Sequence, residues 1–235
     1  MKIGVIGTGN IGRSLGILWA EQGHDIFFGS HEIERAQAAA RLVKSDNQSR
    51  MIGTGTNDEA ARFGDVLLYT VRGVPPEQVL SDISVLKDKI LIDPSNTNIP
   101  EGFLYEPICL ALAEKLQWQA PLSRVVKAFS TVAQEVFELS FDPLRGEKVS
   151  VFIAGDDEAA RQIVMGLSTD IGFEPVDCGP LRNARLIEGL ADILRYVAIR
   201  GGRGAYTAIT IQSLPKPEHA ARLGGRLQLL EQGTR

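Results

Sequence analysis

At 235 residues the chain is long enough for one full doubly wound α/β sheet and a modest extra segment, and too short for two large domains. A formal charge of -4 without any Lys/Arg cluster interleaved with aromatics leaves no footprint for nucleic acid, and no apolar run approaches the ~20 residues that span a bilayer. The start passes from Ile6 into Gly-Thr-Gly-Asn rather than a signal-peptide core, Cys109 and Cys178 stand apart, and His24, His31 and His219 are scattered, which predicts a cytoplasmic protein with free thiols and no metal site.

Lys2-Ile3-Gly4-Val5-Ile6 reads as a buried parallel strand, and Gly7-Thr8-Gly9-Asn10-Ile11-Gly12 turns from it into a helix with apolar positions Ile11, Leu15, Leu18 and Trp19. Each glycine has its own task. Gly7 permits the tight turn, Gly9 lets backbone approach a pyrophosphate, and Gly12 lets the helix pack closely on the strand with its N-terminus toward the phosphates.

The second strand, Asp25 to Phe28, ends in Gly29-Ser30-His31, and its tip selects the dinucleotide. A site for NAD places a carboxylate there for the ribose 2′-hydroxyl, whereas a 2′-phosphate needs donors and positive charge. Ser30, His31 and Arg35, one helical turn on, with Thr8 close by, point to NADP. Glu32 and Glu34 oppose this unless helix geometry turns them outward, and an ordinary solvated helix start remains the alternative reading of His31 and Arg35.

Helix and strand patterns then alternate: a helix from Glu32 to Lys44, a strand near 51–54, a helix from Asn57 to Arg62 and the strand Asp65 to Thr70. Thr70, Val71 and Arg72 fall at the carboxyl edge, where nucleotides bind in open α/β sheets. Pro75-Pro76 predicts a helix reaching Leu86, and the strand Lys89 to Ile92 ends in Asp93-Pro94-Ser95-Asn96-Thr97, a second ligand-side loop or a plain turn. A helix from Pro107 to Trp118 and the strand Arg124 to Phe129 lead to a third edge loop, Phe129 to Val132, with Ser130 in it.

After a further helix comes the strand Val149 to Ala154, whose Gly155-Asp156-Asp157 tip reads as a structural N-cap for a helix from Glu158 to Thr169. The strand Phe173 to Cys178 completes a mostly parallel sheet of about eight strands, at an edge because of Pro175. A long helix, Leu181 to Arg200, carries Leu186, Leu190, Ile193, Leu194 and Val197 on one side. Gly201-Gly202-Arg203-Gly204 is either a helix stop or a point of ligand approach, and Glu218 to Leu230 reads as a short amphipathic helix. The division is a Rossmann domain at 1–180 and a C-terminal helical segment at 181–235 that completes an acceptor site or pairs two copies as a homodimer.

Gly7-Thr8-Gly9-Asn10-Ile11-Gly12, the Gly29-Ser30 strand end, Val126-Lys127-Ala128-Phe129-Ser130-Thr131, Gly155-Asp156-Asp157, and Gly179-Pro180-Leu181 before Ala184-Arg185-Leu186-Ile187-Glu188 occur in this order. Over residues 1 to 205 the chain resembles the coenzyme F-420 (F420)-dependent NADP oxidoreductases, and also the cytoplasmic portion of the STEAP metalloreductases. The resemblance implies an NADP-binding Rossmann fold and hydride transfer between NADP(H) and a deazaflavin, coenzyme F-420, or a flavin (FAD or FMN). It implies that Thr8, Ser30, His31 and Arg35 take the 2′-phosphate, while Thr70, Asn96 and Ala128 line the path to the nicotinamide. Three features depart from the family. His31 replaces the Arg typical of archaeal members, Ser130 replaces Asn or His beside the acceptor, and the segment after Gly204 is longer.

Direct hydride transfer needs close placement of two rings more than an acid or base, because the cofactors carry the chemistry. Accordingly no Ser-His-Asp set, paired carboxylates or evident catalytic Lys is found, and no catalytic acid or base is assigned. Two other functions fit the sequence: a dehydrogenase of a small carbonyl, imine or hydroxy acid, and a non-catalytic NADP-binding sensor.

Overall fold

The computed structural model describes residues 1–44, 50–139 and 141–215, with backbone alone at 141–143; the expected tail helix at 218–230 lies outside the described residues. Eight strands form one sheet: β1 (Lys2–Ile6), β2 (Asp25–Gly29), β3 (Ile52–Gly55), β4 (Val66–Tyr69), β5 (Ile90–Asp93), β6 (Arg124–Lys127), β7 (Ser150–Gly155) and β8 (Glu174–Asp177). Their spatial order is β3-β2-β1-β4-β5-β6-β7-β8. The first six are parallel, in the doubly wound order that places ligands outside the carboxyl ends of the strands. β7 meets β6 antiparallel through Lys127 and Ala154, and β8 closes the edge parallel to β7. Pro175 lies on that outer strand, where a missing N–H leaves no inner ladder broken.

β1, β4 and β5 are apolar runs with almost every residue buried, as a strand covered on both faces must be. The helices of the described residues are α1 (Asn10–Glu21), α2 (Ile33–Leu42), α3 (Asn57–Phe63), α4 (Leu112–Gln119), α5 (Phe141–Glu147), α6 (Glu158–Asp170) and α7 (Ala184–Arg195), of which α1 and α3 pack on β1 and α4 on β5. Trp19 of α1 is fully buried, and its indole N–H donates to the Leu167 carbonyl of α6 at 2.9 Å, joining two helices of one face.

Three expected helices differ from the sequence reading. The one expected from Pro107 starts only at Leu112. Pro75 to Leu86 is not a helix but two 3-10 turns, Pro76–Gln78 and Ile83–Leu86. Asp82 separates them by accepting the Ser84 N–H at 2.8 Å, a local side-chain bond that competes with helix propagation. Leu181 to Arg200 is segmented into a 3-10 turn, α7 and a π-helical turn at Tyr196–Arg200. The side of α7 that meets the sheet is Ala184, Ile187, Glu188, Ala191 and Leu194, whereas Leu186 and Ile193 of the expected apolar stripe are exposed. Beyond it the chain returns across the start of β7, where the Ser150 N–H donates to the Ile209 carbonyl at 2.9 Å.

Candidate cofactor and acceptor site

The glycine turn sits at the carboxyl end of β1. Gly7 has φ +91°, and a Cβ there would meet Thr70 Oγ1 at 2.9 Å and Val71 Cγ2 at 2.8 Å. At Gly12 a Cβ would run into the Gly7 carbonyl oxygen, while Gly9 faces open space within 4 Å, leaving room for a ligand to reach the backbone. The loop is fastened from below. Gly7 N–H donates to Asn57 Oδ1 at 3.1 Å, Thr70 Oγ1 donates to the Gly7 carbonyl at 2.5 Å, and Thr8 Oγ1 donates to the Gly29 carbonyl at 2.7 Å. Donation from Thr8 to a phosphate therefore requires that last bond to break.

α1 begins without a side-chain cap and without an acidic residue in its first turn. By contrast, α3 is closed by a Thr56/Glu59 capping box and α6 by Asp157, which accepts the Ala160 N–H at 2.7 Å, as its sequence implied. The uncapped N–H groups and the positive end of α1 are thus left for an anion.

A cleft of about 330 Å³ runs from the glycine loop to the end of β2, walled by Gly7, Thr8, Ser30, His31, Arg35 and Val71 among others. Ser30 is buried, and its oxygen accepts the Glu32 N–H at 3.1 Å, leaving the hydroxyl proton to donate. His31 and Arg35 are exposed, but Glu32 engages both. Its carboxylate lies 3.1 Å from His31 Nε2 and 2.7 Å from Arg35 Nε, so it does not turn outward as the helix geometry alone allowed.

The cleft continues past Gly9 and Thr70 into a cavity of about 820 Å³ between the edge loops, α1 and α7. Asn10, Ile11, Arg72, Asn96, Phe129 and Ser130 line one side, Leu194, Arg195 and Ile199 the other, and Gly204 borders it, so the glycine cluster both ends the helix and reaches the cavity. Phe129 adopts φ +64°, a strained conformation for a residue with a Cβ. Its ring is locked in the core by edge contacts with Trp19 at 5.7 Å, Phe137 at 6.2 Å and Phe173 at 6.3 Å, which hold the turn in that conformation.

Asn96 Nδ2 donates to the Ser130 carbonyl at 2.6 Å and couples the two edge loops, while Asn96 Oδ1 and Ser130 Oγ are buried without a hydrogen-bond partner. A carbonyl acceptor beside a hydroxyl matches the donor and acceptor of a carboxamide, and buried polar atoms left open in this way call for a ligand. Ala128 is fully buried behind this wall, its N–H donating to the Asp93 carbonyl at 3.2 Å, so it supports the path rather than lining it. Arg72 donates to Asn98 Oδ1 at 2.8 Å and Arg195 to the Thr97 carbonyl at 2.9 Å, two guanidiniums that hold the 96–98 loop.

Directly behind these loops Lys127 is completely buried between two carboxylates, Asp93 at 3.0 Å and Glu188 at 2.8 Å, and it also donates to the Ser95 carbonyl. Glu188 accepts the Leu112 N–H at 2.9 Å, and Asp93 accepts the Ser95 N–H at 2.9 Å. One ammonium therefore ties β5, β6, α4 and α7 together. Burial pushes the Glu188 carboxyl above its ordinary range, with the attraction of Lys127 acting against it.

Asn57, Gln134 (which accepts from Asn10 Nδ2 at 3.0 Å), Arg195 and the Lys127 triad escaped the sequence reading, because each meets its partner across a long stretch of chain. The strand-end rule, had it been applied to Lys127 and Asp93 at the tips of adjacent strands, is the signal that could have found two of them. Among the described residues no cluster of three or more metal-ligating side chains occurs, and no helix is long and apolar enough to cross a membrane.

Residues 2–97 match the family model described as NADP oxidoreductase coenzyme F420-dependent. The F420-dependent NADP reductase of Methanocaldococcus jannaschii is 32% identical over 210 residues, covering 83% of this chain and 91% of that protein. The metalloreductase STEAP3 of Rattus norvegicus is 29% identical over 189 residues, covering 80% of this chain but 36% of that longer protein. A solved structure from Arthrobacter sp. FB24 superposes with a TM-score of 0.71 at 24% identity, over 91% of this chain and 100% of that one, which establishes the shared fold. With the glycine loop, the uncapped α1 and the sheet order all in place, the chain belongs to the family of coenzyme F420-dependent NADP oxidoreductases.

Proposed function

We propose that this protein works in the cytoplasm as an oxidoreductase that passes hydride between NADP(H) and the deazaflavin F420. The observation that carries this reading is the continuous trough: phosphate-binding features at one end, then a pair of open buried polar atoms, then a cavity of about 820 Å³ with room for a second planar ring. When bound, NADPH supplies the hydride and the deazaflavin accepts it together with one solvent proton, giving NADP⁺ and the reduced deazaflavin.

The protein's own part is placement. Ser30, His31 and Arg35 hold the 2′-phosphate. The amides of Gly9, Asn10, Ile11 and Gly12 at the start of α1 hold the pyrophosphate, Thr70 steadies the loop beneath it, and Val71 borders the adenosine side. Asn96 and Ser130 orient the nicotinamide carboxamide, and Ile11, Leu194 and Ile199 exclude water from the ring faces. In the C-terminal part assigned to 181–235, α7 closes the acceptor side, and its exposed Leu186 and Ile193 suit pairing with a second copy, to be checked as a dimer mass by light scattering.

Anaerobic mixing of the protein with NADPH and F420, and in parallel with FAD or FMN, tests the assignment through acceptor absorbance. Rapid bleaching of F420 is expected. Bleaching of a flavin alone moves the acceptor to FAD or FMN, and tight NADPH binding with neither bleached overturns the proposal in favour of a small-molecule dehydrogenase or a sensor.

A further inference from the structure

We propose that Glu32 is a built-in competitor for the 2′-phosphate: its carboxylate holds His31 and Arg35 in the free protein and thereby limits how strongly the site prefers NADP(H) over NAD(H). The inference rests on the dinucleotide reading above and adds to it a residue that acts through its neighbours.

Three features of Glu32 point this way. It is the N-cap residue of α2, yet its side chain makes no capping bond, so the carboxylate is not occupied in starting the helix. Both oxygens are used instead on two nitrogen donors of the cleft, Oε1 on the His31 imidazole and Oε2 on the Arg35 guanidinium. Its backbone N–H is anchored on Ser30 Oγ, which keeps the carboxylate beside a buried hydroxyl of the same subsite.

A phosphate seated on Ser30, His31 and Arg35 would need the same two donors, and it would bring more negative charge against the carboxylate. Binding of NADP(H) must therefore exchange the Arg35 ion pair and the His31 contact rather than fill an open cation site. A cofactor without the phosphate leaves both contacts intact, and its 2′-hydroxyl is a donor that a carboxylate at this strand end can accept. Glu32 is on this account a positioning residue that narrows the gap between the two cofactors from both directions.

The test is isothermal titration of 2′,5′-ADP and 5′-AMP into the wild-type protein, Glu32→Gln and Glu34→Gln. Both side chains are exposed, and Glu34 sits in the first turn of the same helix, so the second variant removes the same charge from the same helix end. Glu32→Gln is expected to bind 2′,5′-ADP about three- to tenfold more tightly, the range that releasing exposed polar contacts of this kind supports, with no gain for 5′-AMP. Glu34→Gln is expected to gain less than twofold for either ligand. An equal gain for both ligands, or an equal gain in Glu34→Gln, would show a general charge effect and overturn the proposal. No change in Glu32→Gln also overturns it, while leaving the NADP assignment standing so long as the wild type prefers 2′,5′-ADP. A wild type with no such preference overturns both.

Discussion

The two ends of the trough are built in opposite ways. At the end proposed for the 2′-phosphate the ionisable side chains stand at the rim: His31 is 78% exposed, Arg35 59% and Glu32 46%. At the end proposed for hydride transfer Lys127, Asp93 and Glu188 are sealed at 0%, 3% and 1%. Exposed pairs contribute little to folding and are weakened by salt, so the rim can discriminate between cofactors without strongly affecting stability. Buried charges that lose a partner are costly, so the inner network fixes geometry and ties cofactor placement to the fold itself. Substitutions at the two ends should therefore separate cleanly into effects on structure and effects on cofactor choice.

The largest effect is expected at Lys127. Lys127→Met leaves two buried carboxylates facing each other without a cation and should destabilise the protein by about 3–5 kcal/mol, read by urea unfolding. Adding Glu188→Gln should recover part of that loss. A cost below about 1 kcal/mol would mean that water reaches the triad, and the contrast between the two ends would fail.

The same triad predicts a pH dependence with a definite sign. Burial holds the Glu188 carboxyl above its ordinary value of 4.5, so only between that value and the folded one does the folded protein hold a proton that the unfolded chain has released. Its stabilising contribution is full below pH 4.5 and declines as pH rises through the folded value. Relative to Glu188→Gln, the wild type should lose stability as pH rises from 4.5 toward neutrality. A constant difference across that range would show that Lys127 fully offsets the burial.

Thr70 lies between the two ends, bordering both cavities, and its hydroxyl holds the Gly7 carbonyl. Thr70→Val keeps the shape and removes that donor, at about 1–3 kcal/mol for a carbonyl left short of a partner. Because the loop serves any dinucleotide, affinity for NADPH and NADH should fall together, by about tenfold, in fluorescence titration. A loss confined to NADPH would place Thr70 with the phosphate end instead.

How much of this was legible in the sequence follows the same division. The strands of the first half are runs of buried apolar residues, and the glycine loop is a local pattern, so the doubly wound sheet and the pyrophosphate turn could be read directly. Ser30, His31 and Arg35 lie within six residues of each other and line one cleft, as a local reading of the strand end allows, but Glu32 was not placed correctly, since its direction depends on rotamers and not on helix phase. The inner network was hidden. Lys127 and Glu188 are separated by most of a domain half, and a buried Lys reads in sequence like any surface Lys. Polar residues on α7 misled in a related way: with Glu188 turned inward to the triad, Leu186 and Ile193 are left outside, the reverse of a simple amphipathic count.

The smallest effects on the fold should come from the rim. Arg35→Glu removes a donor at the 2′-phosphate and adds a like charge, so NADPH binding should weaken by about tenfold or more while NADH binding stays nearly unchanged. Unfolding by urea should be the same as wild type within error, because the Arg35 side chain is mostly in water. Salt gives the same comparison without a mutation. Raising ionic strength toward 1 M shortens the screening length to about 3 Å, which should reduce NADPH affinity more than NADH affinity in the wild type and erase most of that difference in Arg35→Glu. If NADPH and NADH respond alike to salt in both proteins, the rim charges do not read the 2′-phosphate, and selectivity must reside deeper in the cleft, at Ser30.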